Sequence, residues 1–179
     1  RRMTEFLQAK NGEASARLNG TLLHSSYNPT REVERLAGGA PRRRCYVILG
    51  EGLGYLATAL SERERSSRIL TLHPSRELAE AARETPGTHW NSEDPLSLRG
   101  AIDRSFGEEG VYGFEVIPWE PARRAAPEWY QEVEEELLAV ALERHNSLLT
   151  TGYFGYRWLR NAVDNLRGCE GRSNRPFEL

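Results

Sequence analysis

Cys45-Tyr46-Val47-Ile48-Leu49-Gly50-Glu51-Gly52-Leu53-Gly54-Tyr55 decides the fold of this 179-residue chain. An unbroken apolar run ends at three glycines spaced two apart, and a helical pattern follows. The pattern predicts a buried strand, a tight turn and a helix that starts at the turn. Glycines let the backbone turn sharply and let a ligand approach. The helix start behind them presents unpaired N–H groups and the positive end of the helix dipole, an arrangement that suits a phosphate or a nucleoside.

Working outward, strand and helix patterns alternate. Leu56, Ala57 and Leu60 form the inward face of a helix over 53–63. Arg68 to Leu72 reads as a second strand, Pro74 to Arg83 as a helix, and Thr88-His89-Trp90 as a third strand. Asp94-Pro95 caps a further helix bearing Leu98, Ile102 and Phe106. Val111 to Ile117 reads as a fourth strand. This alternation predicts an α/β fold with a Rossmann-like, mainly parallel sheet over residues 41–126.

Residues 1–40 read as an N-terminal arm. Thr4 to Lys10 reads as a short helical turn. Asn19-Gly20 between two extended runs predicts a β-hairpin with a type I′ turn. Asn28-Pro29 predicts a helix start, with Val33, Leu36 and Ala37 on one face. Residues 127–179 read as two C-terminal helices, 128–149 and 153–166, and a polar tail. The acids Glu132, Glu134, Glu135 and Glu136 of the first read as a solvated face, not a metal site.

Composition bounds the function. Apolar residues make up 39% and charged residues 28%, ordinary for a globular protein, and the net charge of −2 carries no nucleic-acid signal. Cys45 and Cys169 form neither a disulfide framework nor a metal pair, which points to a cytoplasmic setting. No stretch is apolar enough to span a membrane.

Gly50, Glu51, Gly52 and Gly54, with His73 at the end of the second strand, are the candidate nucleotide-binding residues. Their neighbours oppose that role. Ile48 stands where methyltransferases that use S-adenosylmethionine carry an acid. His73-Pro74 stands where a ribose-binding acid belongs. Glu51 puts a negative charge at the positive end of the helix dipole, where it repels a pyrophosphate. Two readings stay open: an architectural turn, or a divergent S-adenosylmethionine- or nucleoside-binding transferase. His24, Tyr27 and Trp119 form a candidate cleft. Each of His24 and His73 is either catalytic or a structural hydrogen-bonding group. Catalytic residues are not assigned.

Leu23-His24-Ser25-Ser26-Tyr27-Asn28-Pro29-Thr30-Arg31-Glu32-Val33-Glu34-Arg35-Leu36 resembles the "LHSxY(D/N)PxxEAxRL" stretch of motility-associated factor (Maf) proteins, grouped with the 6-hydroxymethylpterin diphosphokinase MptE-like family. Gly50-Glu51-Gly52-Leu53-Gly54-Tyr55 is similar to their "GxGLGY", and Trp158-Leu159-Arg160-Asn161 through Asn165-Leu166 to their "WxxNxxxNL". The resemblance implies the N-terminal domain of a cytoplasmic protein or flagellin glycosyltransferase, which positions a C-terminal catalytic core or recognises the acceptor. It places any nucleotide sugar in that core and makes the core and flagellin, or another acceptor, the expected partners. A non-catalytic interaction module is a further alternative.

Overall fold

A computed structural model describes residues 3–143. The fold is α/β. Its centre is a four-stranded, fully parallel sheet of β4 (Cys45–Leu49), β5 (Arg68–His73), β6 (Thr88–Asn91) and β7 (Glu115–Pro118), in the order β6-β5-β4-β7. β4 is buried along its whole length, which is why it reads as a continuous apolar run. The sheet reverses direction of travel between β4 and β7. In open α/β sheets the crevice beyond the carboxyl ends at such a point is the customary ligand site.

The N-terminal residues form a three-stranded antiparallel sheet of β1 (Thr4–Gln8), β2 (Ala14–Leu18) and β3 (Thr21–Leu22). β1 corrects the helical reading of Thr4–Lys10: these residues pair with β2 from Thr4↔Leu18 to Gln8↔Ala14. Asn19 and Gly20, between β2 and β3, both have positive φ, 49° and 79°. Ala16, Leu18 and Leu23 belong to the same core as the parallel sheet.

α1 (Pro29–Gly39) starts at Asn28, whose side chain accepts from the Arg31 N–H at 2.8 Å. Val33 and Ala37 are buried, but Leu36 is exposed. Replacing Asn28 with alanine is expected to cost about 1 kcal/mol, measurable as a lowered urea midpoint. α1 packs on α2 (Tyr55–Arg63), and Arg63 donates to the Ala37 and Ala40 carbonyls at α1's end.

Two expected elements shift. Ser97, not Asp94-Pro95, caps α4 (Leu98–Phe106), while Asp94 accepts from the Leu96 N–H in a local turn. A 3₁₀ helix at Gly107–Tyr112 occupies the start of the expected fourth strand, which is confined to β7. Directly after β7, Glu120-Pro121 opens α5 (Glu120–Ala125), since proline is well suited to a helix's first turn. α3 (Arg76–Ala81) and α6 (Pro127–Glu143) complete the described helices, and the expected helix at 153–166 lies outside the described residues. Among the described residues no helix is long and apolar enough to cross a membrane.

Candidate functional site

The glycine turn lies beyond β4, at the reversal point of the sheet. Gly50 (φ 91°) passes so close to α5 and α6 that a Cβ there would sit 2.5 Å from the Ala122 Cβ and 3.5 Å from the Trp129 ring. On the other side, a Cβ on Gly52 (φ 98°) would lie 3.0 Å from His24 Nε2. The glycines therefore admit a close neighbour, and the neighbour is the chain itself.

His24 is brought there by the N-terminal sheet. Trp119 Nε1 donates to the Leu23 carbonyl at 2.8 Å, and Ser15 Oγ donates to the His24 carbonyl at 3.1 Å. The Leu53 N–H donates to His24 Nε2 at 3.1 Å. That bond fixes the tautomer: Nε2 accepts, so Nδ1 carries the proton. Nδ1 is buried and has no hydrogen-bond partner. The ring lies against Tyr55 and Trp119. Burial pushes its pKa down to about 4, so His24 is neutral at pH 7.

Glu51 has a different role from the one its charge suggests. Its fully buried carboxylate accepts from the N–H of Leu56 through Oε1 and from the N–H of Ala57 through Oε2, the latter at 3.3 Å. These are second and third residues of α2, whose N-cap position is Gly54 and offers no side chain. Glu51 thus caps α2 from the turn and takes the place of an anion. Burial pushes its pKa up to about 7, and the two N–H groups pull the other way. Above pH 7 the carboxylate is charged at a cost that a rise from 4.5 to about 7 sets at about 3 kcal/mol. The Glu51→Gln variant is therefore expected to gain stability relative to the parent at pH 8 and not at pH 4.5. Chemical denaturation at the two pH values checks this.

His73 stands at the end of β5, fully buried, with His89 of β6 beside it: Nε2 of His73 lies 2.9 Å from Nδ1 of His89. His89 Nε2 lies 3.2 Å from the Thr85 carbonyl, which only accepts. The proton order follows: His89 Nε2–H to Thr85, His73 Nε2–H to His89, and a bare acceptor at His73 Nδ1, which has no partner. Burial, and then His89, push the His73 pKa down to about 3. A buried neutral pair of this kind serves structure. No local pattern marks His89, because its partner lies on another strand.

The structure therefore brings Gly50, Glu51, Gly52, His24 and Trp119 together. Gly54 starts α2 against Thr85. Tyr27 is not among them: its side chain is exposed, with Lys10 Nζ 4.3 Å from the ring centre. α6 closes the crevice further. Trp129 in its first turn lies against Gly50, and Glu143 in its last turn pairs with Arg99 in the first turn of α4. Beyond β5 and β6 an open cleft of about 660 Å³ remains, bordered by Asn19, Ser75, Glu77, Glu93 and Glu128. Its three carboxylates oppose an anionic ligand. Among the described residues no group of three or more His, Cys, Asp or Glu side chains is placed to hold a metal ion.

An uncharacterized protein of Treponema pallidum (strain Nichols) is 25% identical over 177 aligned positions, which take in 88% of this chain and 58% of that protein. The chain spans a little over half the length of the curated relative it matches. No family model and no solved structure matches.

Proposed function

We propose that this chain is an accessory domain with a Rossmann-like sheet, the N-terminal part of a Maf-type protein glycosyltransferase, which positions a catalytic core or holds the acceptor protein. The observation that supports a non-catalytic role is the filled crevice. Leu53, Leu56 and Ala57 spend their N–H groups on His24 and Glu51, and Trp129 and Ala122 close on Gly50. A nucleotide at this turn would have to displace both side chains. The greater length of the Treponema relative supports reading the chain as one part of a larger protein. The Maf assignment itself rests on the sequence resemblance.

Calorimetry of the whole chain with S-adenosylmethionine, S-adenosylhomocysteine and CMP tests the reading, together with retention of flagellin on the immobilised chain. The expected result is no saturable nucleoside binding and retention of the acceptor. Micromolar nucleoside binding that Gly52→Val abolishes would overturn the non-catalytic role. Failure to retain flagellin would remove acceptor recognition and leave only core positioning.

A further inference from the structure

Two buried groups at the glycine turn are oddly matched to a purely structural joint. The first is Glu51. A helix start needs an oxygen acceptor, and a neutral Ser, Thr or Asn at the N-cap supplies one without burying charge. Here the N-cap is Gly54, and the acceptor is a fully buried carboxylate from the turn itself. What acts on it is burial and the two N–H groups, with no cation among the influences. The second is His24, 1% exposed, whose Nδ1–H has no acceptor. The ring edge it turns to Gly52 is Nε2–Cδ2, so that donor lies on the far edge. The seat itself is made by the N–H groups of Leu56 and Ala57, and the Glu51 carboxylate holds both.

The geometry points to a self-liganded anion site: the Glu51 carboxylate is the resident anion of the glycine turn, and it shuts the turn to phosphate and pyrophosphate groups. The site is intact in its backbone and occupied from within. Specificity here is exclusion, since an external anion meets a like charge already bound to the same N–H groups. The inference concerns the chemistry of the turn and holds whether or not the domain serves a glycosyltransferase.

The test uses the whole chain with inorganic phosphate and pyrophosphate as probes, followed by the ¹⁵N–¹H signals of Leu56 and Ala57 and by calorimetry. The parent is expected to show no saturable shift at these two amides. Glu51→Gly, which empties the seat, is expected to bind pyrophosphate at least about tenfold more tightly than the parent, with the Leu56 and Ala57 signals moving together. Glu51→Gln keeps the shape and the acceptor while removing the charge. It is expected to keep the fold and to allow a weaker shift at the same amides. Saturable pyrophosphate binding by the parent at Leu56 and Ala57 would overturn the inference, because the seat would then be open. So would a folded Glu51→Gly that binds no better than the parent. If Glu51→Gly does not fold, the inference stands or falls on Glu51→Gln: no movement of the two amides sinks it. Binding in Glu51→Gly with signals moving elsewhere also counts against it. Retention of flagellin is a separate readout, so loss of the accessory role does not affect this result.

Discussion

Acidification from pH 7 to pH 3 is expected to remove about 5 kcal/mol of stability, a large share of the roughly 5–15 kcal/mol that holds a typical domain. Two buried histidines drive it. The folded state holds His24 and His73 neutral, with pKa values pushed down from 6.5 to about 4 and about 3. Unfolded, both take up protons near 6.5. Their contribution is therefore fully present above pH 6.5 and is lost as pH falls toward the folded values. The losses reach about 3 kcal/mol for His24 and about 5 kcal/mol for His73. Glu51 works in the opposite sense. Its folded pKa of about 7 lies above the ordinary 4.5, so stability rises by about 3 kcal/mol as pH falls from 7 to 4.5. The balance is a gentle decline to pH 4.5 and a steeper one just below it. Urea midpoints measured across this range test the account. His73→Gln keeps a donor toward His89 and should flatten the decline by about one proton, whereas Glu51→Gln should steepen it. A parent whose stability is flat from pH 7 to pH 4 contradicts the buried neutral histidines.

Gly50→Ala is the second large effect. Gly50 and Gly20 both hold positive φ, 91° and 79°, so an added Cβ strains both by about 1–3 kcal/mol. Only Gly50 also meets a wall: its Cβ would lie 2.5 Å from the Ala122 Cβ, while nothing lies within 4 Å at Gly20. Ala122 is fully buried and belongs to a helix braced by α6, so it yields poorly. Overpacking adds about 1–3 kcal/mol. Thermal melts should place Gly50→Ala well below Gly20→Ala. Equal melting temperatures would mean that α5 moves aside freely and that the crevice is less tightly filled than its geometry indicates.

Strong local signals made the middle of the fold legible. β4 and α2 announce themselves because a strand buried on both faces must be continuously apolar and the turn after it must be glycine. Asn28-Pro29 marks α1 through capping chemistry alone. β1 was hidden because Thr4–Gln8 is partly or fully exposed along its length, so no alternation separates it from a helical turn. α5 has no clear local signal, because prolines such as Pro118 and Pro121 punctuate loops as readily as they open helices. At the site, the glycines were readable, and so was the charge of Glu51. Its role was not, since capping from the turn departs from the usual N-cap spacing. The His73–His89 pair depends on the alignment of β5 with β6, which no local pattern contains.

The Trp119–Leu23 bond joins residues 96 apart in the chain, and Asn19 Nδ2 reaches the Ala125 carbonyl across 106. During synthesis β2 and β3 therefore emerge well before the Trp119 and Ala125 groups that tie them down. His24 can meet the Leu53 N–H and the Tyr55 ring as soon as the glycine turn follows it. The beginning of the chain is thus fastened in two stages, first on the glycine turn and then on α5.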